Sequence, residues 1–203
     1  MNILFVGFGN IAERHFQSII SLKLDINYYI LDKNLSRAKK VKEKYNILKI
    51  KTFSNFYEIK KTKFFLVIDS TTANKRYFTL NKIKELKPKH VLVEKILENS
   101  VKNLNLMRKK NYKNFYINFP FRMINVFNIL KKKLNFREIK LFKVYAINWN
   151  LSSNSIHYID LFSQIMKKNP ISIHTENLKQ FNSKRQGYIE YSGKIIANLN
   201  TMQ

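Results

Sequence analysis

Apolar and polar positions follow two alternating periods along the first half of the chain. Short continuous apolar runs are typical of strands buried on both faces of a parallel sheet, and between them apolar residues recur every three or four positions, as on one face of a helix. The predicted strands are Ile3–Val6, Tyr28–Leu31, Phe64–Ile68, Val91–Val93 and Phe115–Asn118. Regular alternation of strand and helix predicts an α/β domain with a doubly wound parallel sheet over residues 1–118.

The pattern changes after Pro120, where strands follow one another with fewer helices between them. The predicted elements are a helix around Ile124–Leu130, a long strand at Glu138–Trp149, a helix at Ser155–Met166 and two strand-like runs at Ile171–Phe181 and Tyr188–Asn200. Ser192-Gly193 is expected to turn the chain within the last run. This order predicts a second, α+β domain over residues 119–203 with a mainly antiparallel, incomplete sheet.

Composition places the chain among globular proteins. It has 203 residues, of which 45% are hydrophobic, and no apolar run is long enough to cross a bilayer. The N-terminus lacks the basic segment and cleavage site of a signal peptide. Because the chain contains no cysteine, we expect no disulfide or thiolate chemistry and a cytoplasmic location, without a membrane partner.

The formal net charge of +25 raises the question of nucleic-acid binding. The lysines, however, are spread over every predicted helix and loop, and the chain is rich in Lys, Asn and Ile together, as an A/T-rich coding bias would produce. We therefore expect weak adhesion to polyanions and no dedicated nucleic-acid function. A true nucleic-acid binder would show a steep salt dependence and a specificity ratio.

The first predicted strand runs directly into the glycine pair Gly7-Phe8-Gly9, which leads into a helix. In a Rossmann dinucleotide site Gly7 would allow the tight turn, and Gly9 would let backbone amides approach a pyrophosphate. The amides of Asn10 and Ile11 lie at the positive end of the helix. A plain strand-to-helix turn is the alternative interpretation of this pair.

Asp32 ends the second predicted strand, about 20 residues further on, where a dinucleotide site places an acid on the adenosine ribose. A carboxylate at this point favours the free 2′-hydroxyl of NAD over the phosphate of NADP. Lys33 and Arg37 follow closely, so NADP remains the alternative cofactor. The other interpretation of Asp32 is a helix cap or a turn acid.

A polar stripe lies on the helix predicted at Ser155–Met166. His157, Asp160 and Gln164 are spaced to share one side of it beside apolar neighbours, which suggests a site facing a cleft. The alternative is a hydrogen-bonded core histidine with a solvated aspartate. The four histidines are dispersed and lack paired carboxylates, so no metal site is predicted.

Five segments, taken in order, resemble the Gfo/Idh/MocA oxidoreductases, a family of NAD(P)-dependent sugar and cyclitol dehydrogenases. They are Gly7–Ala12 with Arg14-His15 after it, Asp69–Asn74, Val93–Lys95, Asn118–Arg122 and Ser155–Asp160. They resemble, respectively, the nucleotide loop, the loop along the dinucleotide, the Glu-Lys-Pro motif, the entry to the substrate domain and the segment with the active-site histidine. The resemblance extends over nearly the whole chain.

The resemblance implies hydride transfer between a nicotinamide and a sugar or nucleotide-sugar hydroxyl or carbonyl. The implied cofactor residues are Gly7, Gly9, Asn10, Ile11, Asp32, Arg37, Ser70, Thr71, Asn74 and Glu94. Lys95 and His157 are the implied catalytic residues, and Arg122, Asn154 and Asp160 are candidates for substrate contact. The partners implied are a small-molecule sugar and further copies of the chain in a homo-oligomer.

The chemistry expected of Lys95 can also be argued from its position. It ends a predicted parallel strand, where open α/β sheets place their ligands. A partly desolvated ammonium there would hold a developing alkoxide or, with a lowered pKa, relay its proton. A solvated lysine is the alternative, because the chain has so many.

Three features depart from the family pattern. Ile96 follows Glu94-Lys95 where the family usually has proline. We therefore expect a trans peptide there and a Lys95 side chain that is oriented differently from the family's lysine. Ser153 stands where an aspartate is common, which weakens a two-residue acid–base scheme. The chain is also short for the family. These departures support an alternative function, a non-catalytic dinucleotide-binding or scaffolding remnant.

Overall fold

The computed structural model describes residues 1–47, 49–110, 113–133, 141–147, 149–184 and 186–198. The chain divides into two compact units, which we call unit 1 (Met1–Asn118) and unit 2 (Phe119–Gln203). Among the described residues, no helix is both long and apolar enough to cross a membrane.

Unit 1 is built on a six-stranded parallel sheet. Its strands are β1 (Asn2–Val6), β2 (Asn27–Leu31), β3 (Ile50–Phe53), β4 (Leu66–Asp69), β5 (His90–Val93) and β6 (Phe115–Ile117). Their spatial order is β3-β2-β1-β4-β5-β6. The direction of winding reverses between β1 and β4, and open α/β sheets bind ligands at the carboxyl ends of strands beside such a reversal. The predicted doubly wound sheet is confirmed.

Apolar residues cover both faces of this sheet. Along β1, Leu4 and Val6 belong to one buried cluster, while Ile3 and Phe5 belong to the cluster on the other face. Successive side chains of a strand point to opposite faces, so a strand buried on both sides must be apolar at every position. The continuous apolar runs of the sequence have this cause.

Among the described residues, four α-helices and a 3-10 helix at Phe56–Ile59 connect the strands of unit 1. The α-helices are α1 (Asn10–Ile20), α2 (Leu35–Tyr45), α3 (Ala73–Glu85) and α4 (Val101–Arg108). Phe16 of α1 is fully buried, and its ring meets Phe5 and Tyr28 edge-on at centroid distances of 5.7 and 5.0 Å. Each such ring pair contributes about 0.5–1.5 kcal/mol beyond area burial. The middle of α1 is thereby packed against β1 and β2.

Unit 2 contains the helices α5 (Asn125–Lys133) and α6 (Leu151–Met166) and a hairpin of β7 (Ser172–Asn182) and β8 (Ile189–Asn198). A 3-10 turn at Pro120–Met123 precedes α5. The two strands pair antiparallel in a sheet of their own. The predicted α+β character and the antiparallel pairing of the last two runs are confirmed, and α6 begins four residues before the predicted helix.

Two predictions for unit 2 are wrong. Residues 141–147 of the strand expected at Glu138–Trp149 form no strand, and residues 138–140 and 148 lie outside the described residues. Leu141, Tyr145 and Ile147 are largely exposed. The prediction failed because an alternating pattern forms a strand only where a partner strand pairs with it. Gly193 does not turn the chain but lies inside β8, opposite an irregularity of β7 between Glu176 and Lys179.

Candidate functional site

The turn after β1 requires glycine at its first position. Gly7 has φ +76°, and its amide donates a 2.9 Å hydrogen bond to the carbonyl oxygen of Leu31. A Cβ on Gly7 would lie 3.0 Å from Cγ2 and 3.2 Å from the backbone nitrogen of Thr71. A side chain at position 7 would be strained by the left-handed backbone and would be crowded by Thr71, just after β4. Glycine is therefore required there. Phe8 is buried against Phe5 and Phe16 and anchors the turn.

Gly9 differs from Gly7, because neither packing nor backbone conformation requires a glycine there. Its φ of −91° suits any residue, and an added Cβ would meet no described atom within 4 Å. Gly9 is the N-cap of α1 and provides no side-chain cap for the amides of the first turn. Asn34 caps α2 and Ser100 caps α4 through their side chains, whereas α3, like α1, begins without a side-chain cap. The start of α1 thus offers uncapped amides and a partial positive charge beside open space, which suits an anion.

Asp32 is bonded to the turn after β1. Its Oδ2 accepts a 2.6 Å hydrogen bond from the amide of Phe8, and its Oδ1 accepts one of 2.7 Å from the amide of Asn34. Asp32 therefore acts as a turn acid, the alternative interpretation of its place in the sequence. Each carboxylate oxygen can accept a second hydrogen bond, so the capacity to accept from a ribose diol is retained. Arg37 is exposed in the first turn of α2.

The strand end next to Gly7 is β4. Oδ1 of the fully buried Asp69 accepts hydrogen bonds from the amide (2.9 Å) and hydroxyl (2.6 Å) of Thr71, which places Thr71 against Gly7. Burial raises the pKa of the Asp69 carboxyl, and the hydrogen bonds of Thr71 offset only part of this effect. The buried Oγ of Ser70 has no hydrogen-bond partner among the described atoms. Asn74 accepts a 2.6 Å hydrogen bond from Thr72 at the start of α3.

Glu94, just beyond β5, joins a polar cluster with two residues that were not predicted as site residues. Oε1 of Glu94 lies 2.7 Å from Nε2 of His15 in α1, and it accepts a 2.7 Å hydrogen bond from the side-chain amide of Asn118 after β6. Burial acts to raise the pKa of Glu94, but the bonds with His15 and Asn118 outweigh it, and the pKa is lowered. His15 had a sequence signal, since it shares the apolar side of α1 with Ile11 and Ile19.

Lys95 follows Glu94 directly and is half-buried. The peptide between Lys95 and Ile96 is cis, so the expectation of a trans peptide is wrong. The carbonyls of Glu94 and Ile96, on either side of Lys95, both accept hydrogen bonds from the guanidinium of Arg76. The backbone around Lys95 is therefore held by a side chain from α3 that sequence reasoning did not consider.

Arg76 is 1% exposed and is the largest fully buried side chain of the described chain. Its Nη1 donates to the carbonyls of Glu94 and Ile96, and its Nη2 donates to the carbonyl of Thr71. Nε lies 3.9 Å from Oδ2 of Asp69. Burial lowers the pKa of the Arg76 guanidinium, and the charge of Asp69 opposes that change. The missed signal was its place on the buried side of α3 with Leu80 and Ile83.

In unit 2 the structure pairs two of the predicted substrate residues with each other. The guanidinium of Arg122 donates to both carboxylate oxygens of Asp160, with Nε 2.9 Å from Oδ2. This bond raises the pKa of Arg122. Asp160 is nearly buried, whereas Arg122 is about half-exposed. The Arg122 guanidinium also lies 5.1 Å from the ring centre of Phe119.

His157, the predicted catalytic residue of unit 2, lies among aromatic rings. Its ring centre is 5.4 Å from that of Phe121 and 6.2 Å from that of Phe119. Gln164, expected on the same stripe, is exposed. Asn154 lies in the first turn of α6 and is half-buried.

Ser153, where the resemblance would expect an aspartate, donates a hydrogen bond to Glu190 of β8, as does Ser152. Glu190 is 4% exposed and was not predicted. Two hydroxyl donors satisfy both oxygens of this buried carboxylate. The start of α6 is thus tied to the hairpin, and no local pattern in the sequence indicates a partner 37 residues away.

The carboxyl edge of the sheet therefore gathers, within unit 1, predicted residues from four strand ends. They are Gly7, Gly9, Asn10, Ile11, Asp32, Ser70, Thr71, Asn74, Glu94 and Lys95. His157, Arg122, Asn154 and Asp160 belong to unit 2. No group of His, Asp and Glu suited to a metal ion occurs among the described residues.

No protein-family model and no curated protein matches the sequence. Solved structures do match the fold. A myo-inositol dehydrogenase from Lactobacillus casei, in complex with NAD(H) and myo-inositol, is 16% identical with a TM-score of 0.71, over 98% of this chain and 66% of its own. The WlbA dehydrogenase from Chromobacterium violaceum, in complex with NADH and UDP-GlcNAcA, is 15% identical with a TM-score of 0.62, over 90% of this chain and 58% of its own.

The transcriptional regulator Gal80p from Kluyveromyces lactis matches equally well, with 16% identity and a TM-score of 0.68 over 97% of this chain and 58% of its own. The chain thus spans 58% to 66% of the length of these three structures. The resemblance to Gfo/Idh/MocA-type dehydrogenases, drawn from five sequence segments, is confirmed at the level of the fold. A fold shared by dehydrogenases and a regulator does not by itself assign an activity.

Proposed function

We propose that the carboxyl edge of unit 1 binds a nicotinamide dinucleotide, with residues 1–118 forming the nucleotide-binding domain. The observation that carries this proposal is the contrast between the two glycines of the first turn. Gly7 is explained by the protein's own packing, whereas Gly9 is not and leaves the amides of α1 uncapped beside open space. A diphosphate lying against those amides would explain why position 9 is a glycine.

The remaining roles follow from the order of the strands. Gly7, Gly9, Asn10 and Ile11 contact the diphosphate with their backbone. Asp32, at the end of β2, accepts from the adenosine ribose, which favours NAD over NADP because a carboxylate repels a ribose phosphate. Exposed Arg37 is the residue through which NADP would be accommodated. On the other side of β1, the ends of β4 and β5 lie along the nicotinamide half, through Ser70, Thr71, Asn74 and Glu94.

The proposed reaction is hydride transfer between the nicotinamide and a hydroxyl or carbonyl of a sugar or nucleotide sugar, with residues 119–203 as the substrate domain. The bound nicotinamide supplies the hydride chemistry. Lys95 and His157 then provide the group that takes the hydroxyl proton or holds the developing alkoxide. The inositol and UDP-sugar complexes of two proteins with this fold support this substrate class.

Arg122, Asn154 and Asp160 remain the candidates for substrate contact. Because the Asp160 carboxylate is held by Arg122 through both oxygens, Asp160 is better suited to orient the guanidinium than to bind substrate itself. Half-exposed Arg122 retains donors for an anionic or hydroxyl-rich ligand. The homo-oligomer remains a prediction, and light scattering of the purified protein tests it.

A second candidate function is a dinucleotide-binding protein without catalysis. Two observations favour it. The Gal80p regulator shares the fold, and Ser153 bonds to Glu190 where the resemblance would expect an aspartate. Under this alternative the protein binds NAD(H) but turns over no sugar.

One experiment separates the two candidates. Purified protein is incubated with NAD and NADP and a panel of cyclitols, free sugars and nucleotide sugars, and reduced nicotinamide is followed by its absorbance. The dehydrogenase proposal expects turnover with at least one substrate and loss of turnover in Lys95→Ala, with NADH binding retained. Binding without turnover across the panel favours the non-catalytic alternative, and unchanged turnover in Lys95→Ala rejects the role of Lys95.

A further inference from the structure

We propose that Arg76 is a positioning residue that fixes the loops after β4 and β5 relative to each other and thereby sets the affinity for the nicotinamide half of the dinucleotide. The inference rests on the proposed function, since it assigns those two loops to the nicotinamide half. Arg76 itself would touch neither cofactor nor substrate.

The first argument is where the hydrogen bonds of Arg76 go. Its guanidinium serves three main-chain carbonyls in two loops, those of Thr71, Glu94 and Ile96. A helix residue that only fills the core needs no such partners, and a methionine or leucine would fill that space without a charge. Guanidinium donors are arranged in a rigid fork, so carbonyls bonded to one fork are fixed relative to each other.

The second argument is that the bonded carbonyls flank the residues of the site. Those of Glu94 and Ile96 stand on either side of Lys95, and both bond to the same nitrogen, Nη1. In the other loop, Thr71 is held at both ends, by Asp69 at its amide and hydroxyl and by Arg76 at its carbonyl. Thr71 also packs against Gly7, but the diphosphate turn has its own hydrogen bonds, from the amide of Gly7 to Leu31 and from the amide of Phe8 to Asp32.

The third argument concerns the cost of burying this charge. A guanidinium that is 1% exposed is expensive unless charges and acceptors compensate for it. Asp69 supplies a carboxylate 3.9 Å from Nε, and the carboxylates of Glu94 and Glu98 act on Arg76 from the β5 side. A protein gains little stability from such a buried pair compared with apolar residues. We therefore attribute the buried charge of Arg76 to its effect on geometry, since it fixes the loops after β4 and β5 relative to each other.

The simpler explanation is that Arg76 only stabilises unit 1. The two explanations differ in what they predict for ligands of different length. ADP reaches the β1 turn and Asp32 but lacks the nicotinamide half, whereas NADH extends over the loops that Arg76 holds. A purely stabilising residue affects both ligands alike, and a positioning residue affects NADH selectively.

The test is calorimetric titration of the full chain with NADH and with ADP, in wild type, Arg76→Lys and the control Arg108→Lys. Arg108 is exposed on α4, so its variant makes the same chemical change away from the site. Lysine keeps the charge but cannot bond three carbonyls in a fixed fork. We expect Arg76→Lys to weaken NADH binding by roughly tenfold or more and ADP binding by less than about threefold, and Arg108→Lys to change neither.

Equal losses for the two ligands, or no loss for either, overturn the positioning role while the proposed function stands. Wild-type protein that binds neither ligand overturns the proposed function and this inference with it. If Arg76→Lys fails to fold, hydrogen exchange of the wild type decides. NADH should protect the segments 70–76 and 94–98 together, and protection of one segment without the other contradicts the inference.

Discussion

The backbone amide of Phe8 donates a 2.6 Å hydrogen bond to Oδ2 of Asp32, which joins the turn after β1 to the end of β2. The other carboxylate oxygen accepts from the amide of Asn34, which caps α2. One aspartate thus shapes both the proposed diphosphate turn and the start of the neighbouring helix. Its proposed role at the ribose depends on this structural role, and the two must be tested together.

We expect Asp32→Asn to lower the free energy of unfolding by about 1–3 kcal/mol, because the amide group offers one acceptor oxygen to two backbone donors. Urea denaturation measures the change. Asp25→Asn is the matched control, since the side chain of Asp25 is exposed and bonds to Lys49 at the surface. A variant at Asp32 as stable as the one at Asp25 would contradict the structural role.

The two glycines of the turn should respond oppositely to the same substitution. Gly7→Ser places a side chain at φ +76° against Thr71 and should cost about 1–3 kcal/mol or more of stability. Gly9→Ser meets open space and supplies a hydroxyl cap to α1, which should leave stability unchanged or raise it by a few tenths of a kcal/mol. Thermal unfolding compares the two variants, and a Gly9→Ser protein that is the less stable of the pair would contradict this geometry.

Glu94 should make stability depend on pH in the acid range. Its pKa in the folded protein lies below the unperturbed value of 4.5, so the unfolded chain binds the proton more readily. The stabilisation by the ionised carboxylate is complete above about pH 4.5 and is lost as the pH falls through the folded-state pKa. Glu94→Gln should therefore show a shallower loss of stability below pH 4.5 than wild type.

Denaturant midpoints measured from pH 3 to pH 7 test this dependence. Glu85→Gln serves as control, because Glu85 is exposed and lies 3.8 Å from the equally exposed Lys82. It should follow the wild-type profile. If Glu94→Gln follows the wild-type profile as well, the bonds of the Glu94 carboxylate with His15 and Asn118 do not stabilise the folded protein as the distances indicate.

In unit 2, a double-mutant cycle on Arg122 and Asp160 should show coupling of about 1 kcal/mol in the free energy of unfolding. The bidentate bond and the buried carboxylate argue for coupling, and the half-exposed guanidinium keeps it modest. We expect Asp160→Asn alone to cost less than Arg122→Met, which leaves a buried charge unpaired. Strictly additive effects in urea denaturation would show that the two side chains act independently.

The sequence predicts the centre of the parallel sheet well, because strands buried on both faces must be apolar throughout. It does not indicate β3, whose run Ile50-Lys51-Thr52-Phe53 lies at the sheet edge and mixes apolar with polar residues. The strand expected at Glu138–Trp149 failed for a related reason. Local alternation cannot specify whether a partner strand is present to pair with it.

Candidate residues at strand ends could be predicted because parallel strands bring their carboxyl ends to one edge. The place of Arg76 on the buried side of α3 marked it as unusual, but its role could not be predicted, since its acceptors are main-chain carbonyls that leave no trace in residue identity. Glu190 was missed because its donors, Ser152 and Ser153, are common residues almost 40 positions away along the chain. Tertiary hydrogen bonds of these kinds become visible only in the folded structure.

The most direct test of the dinucleotide site is an NADH titration of wild type and Gly9→Asp at low and physiological salt. Aspartate is a good helix cap, so the variant should fold with equal or greater stability, but its carboxylate would occupy the place of the diphosphate. Ser100→Asp adds the same charge at the cap of α4 and serves as control. We predict saturable binding by wild type and Ser100→Asp at both salt concentrations and none by Gly9→Asp. Undiminished binding by a folded Gly9→Asp protein, or no saturable binding by wild type, would contradict the site.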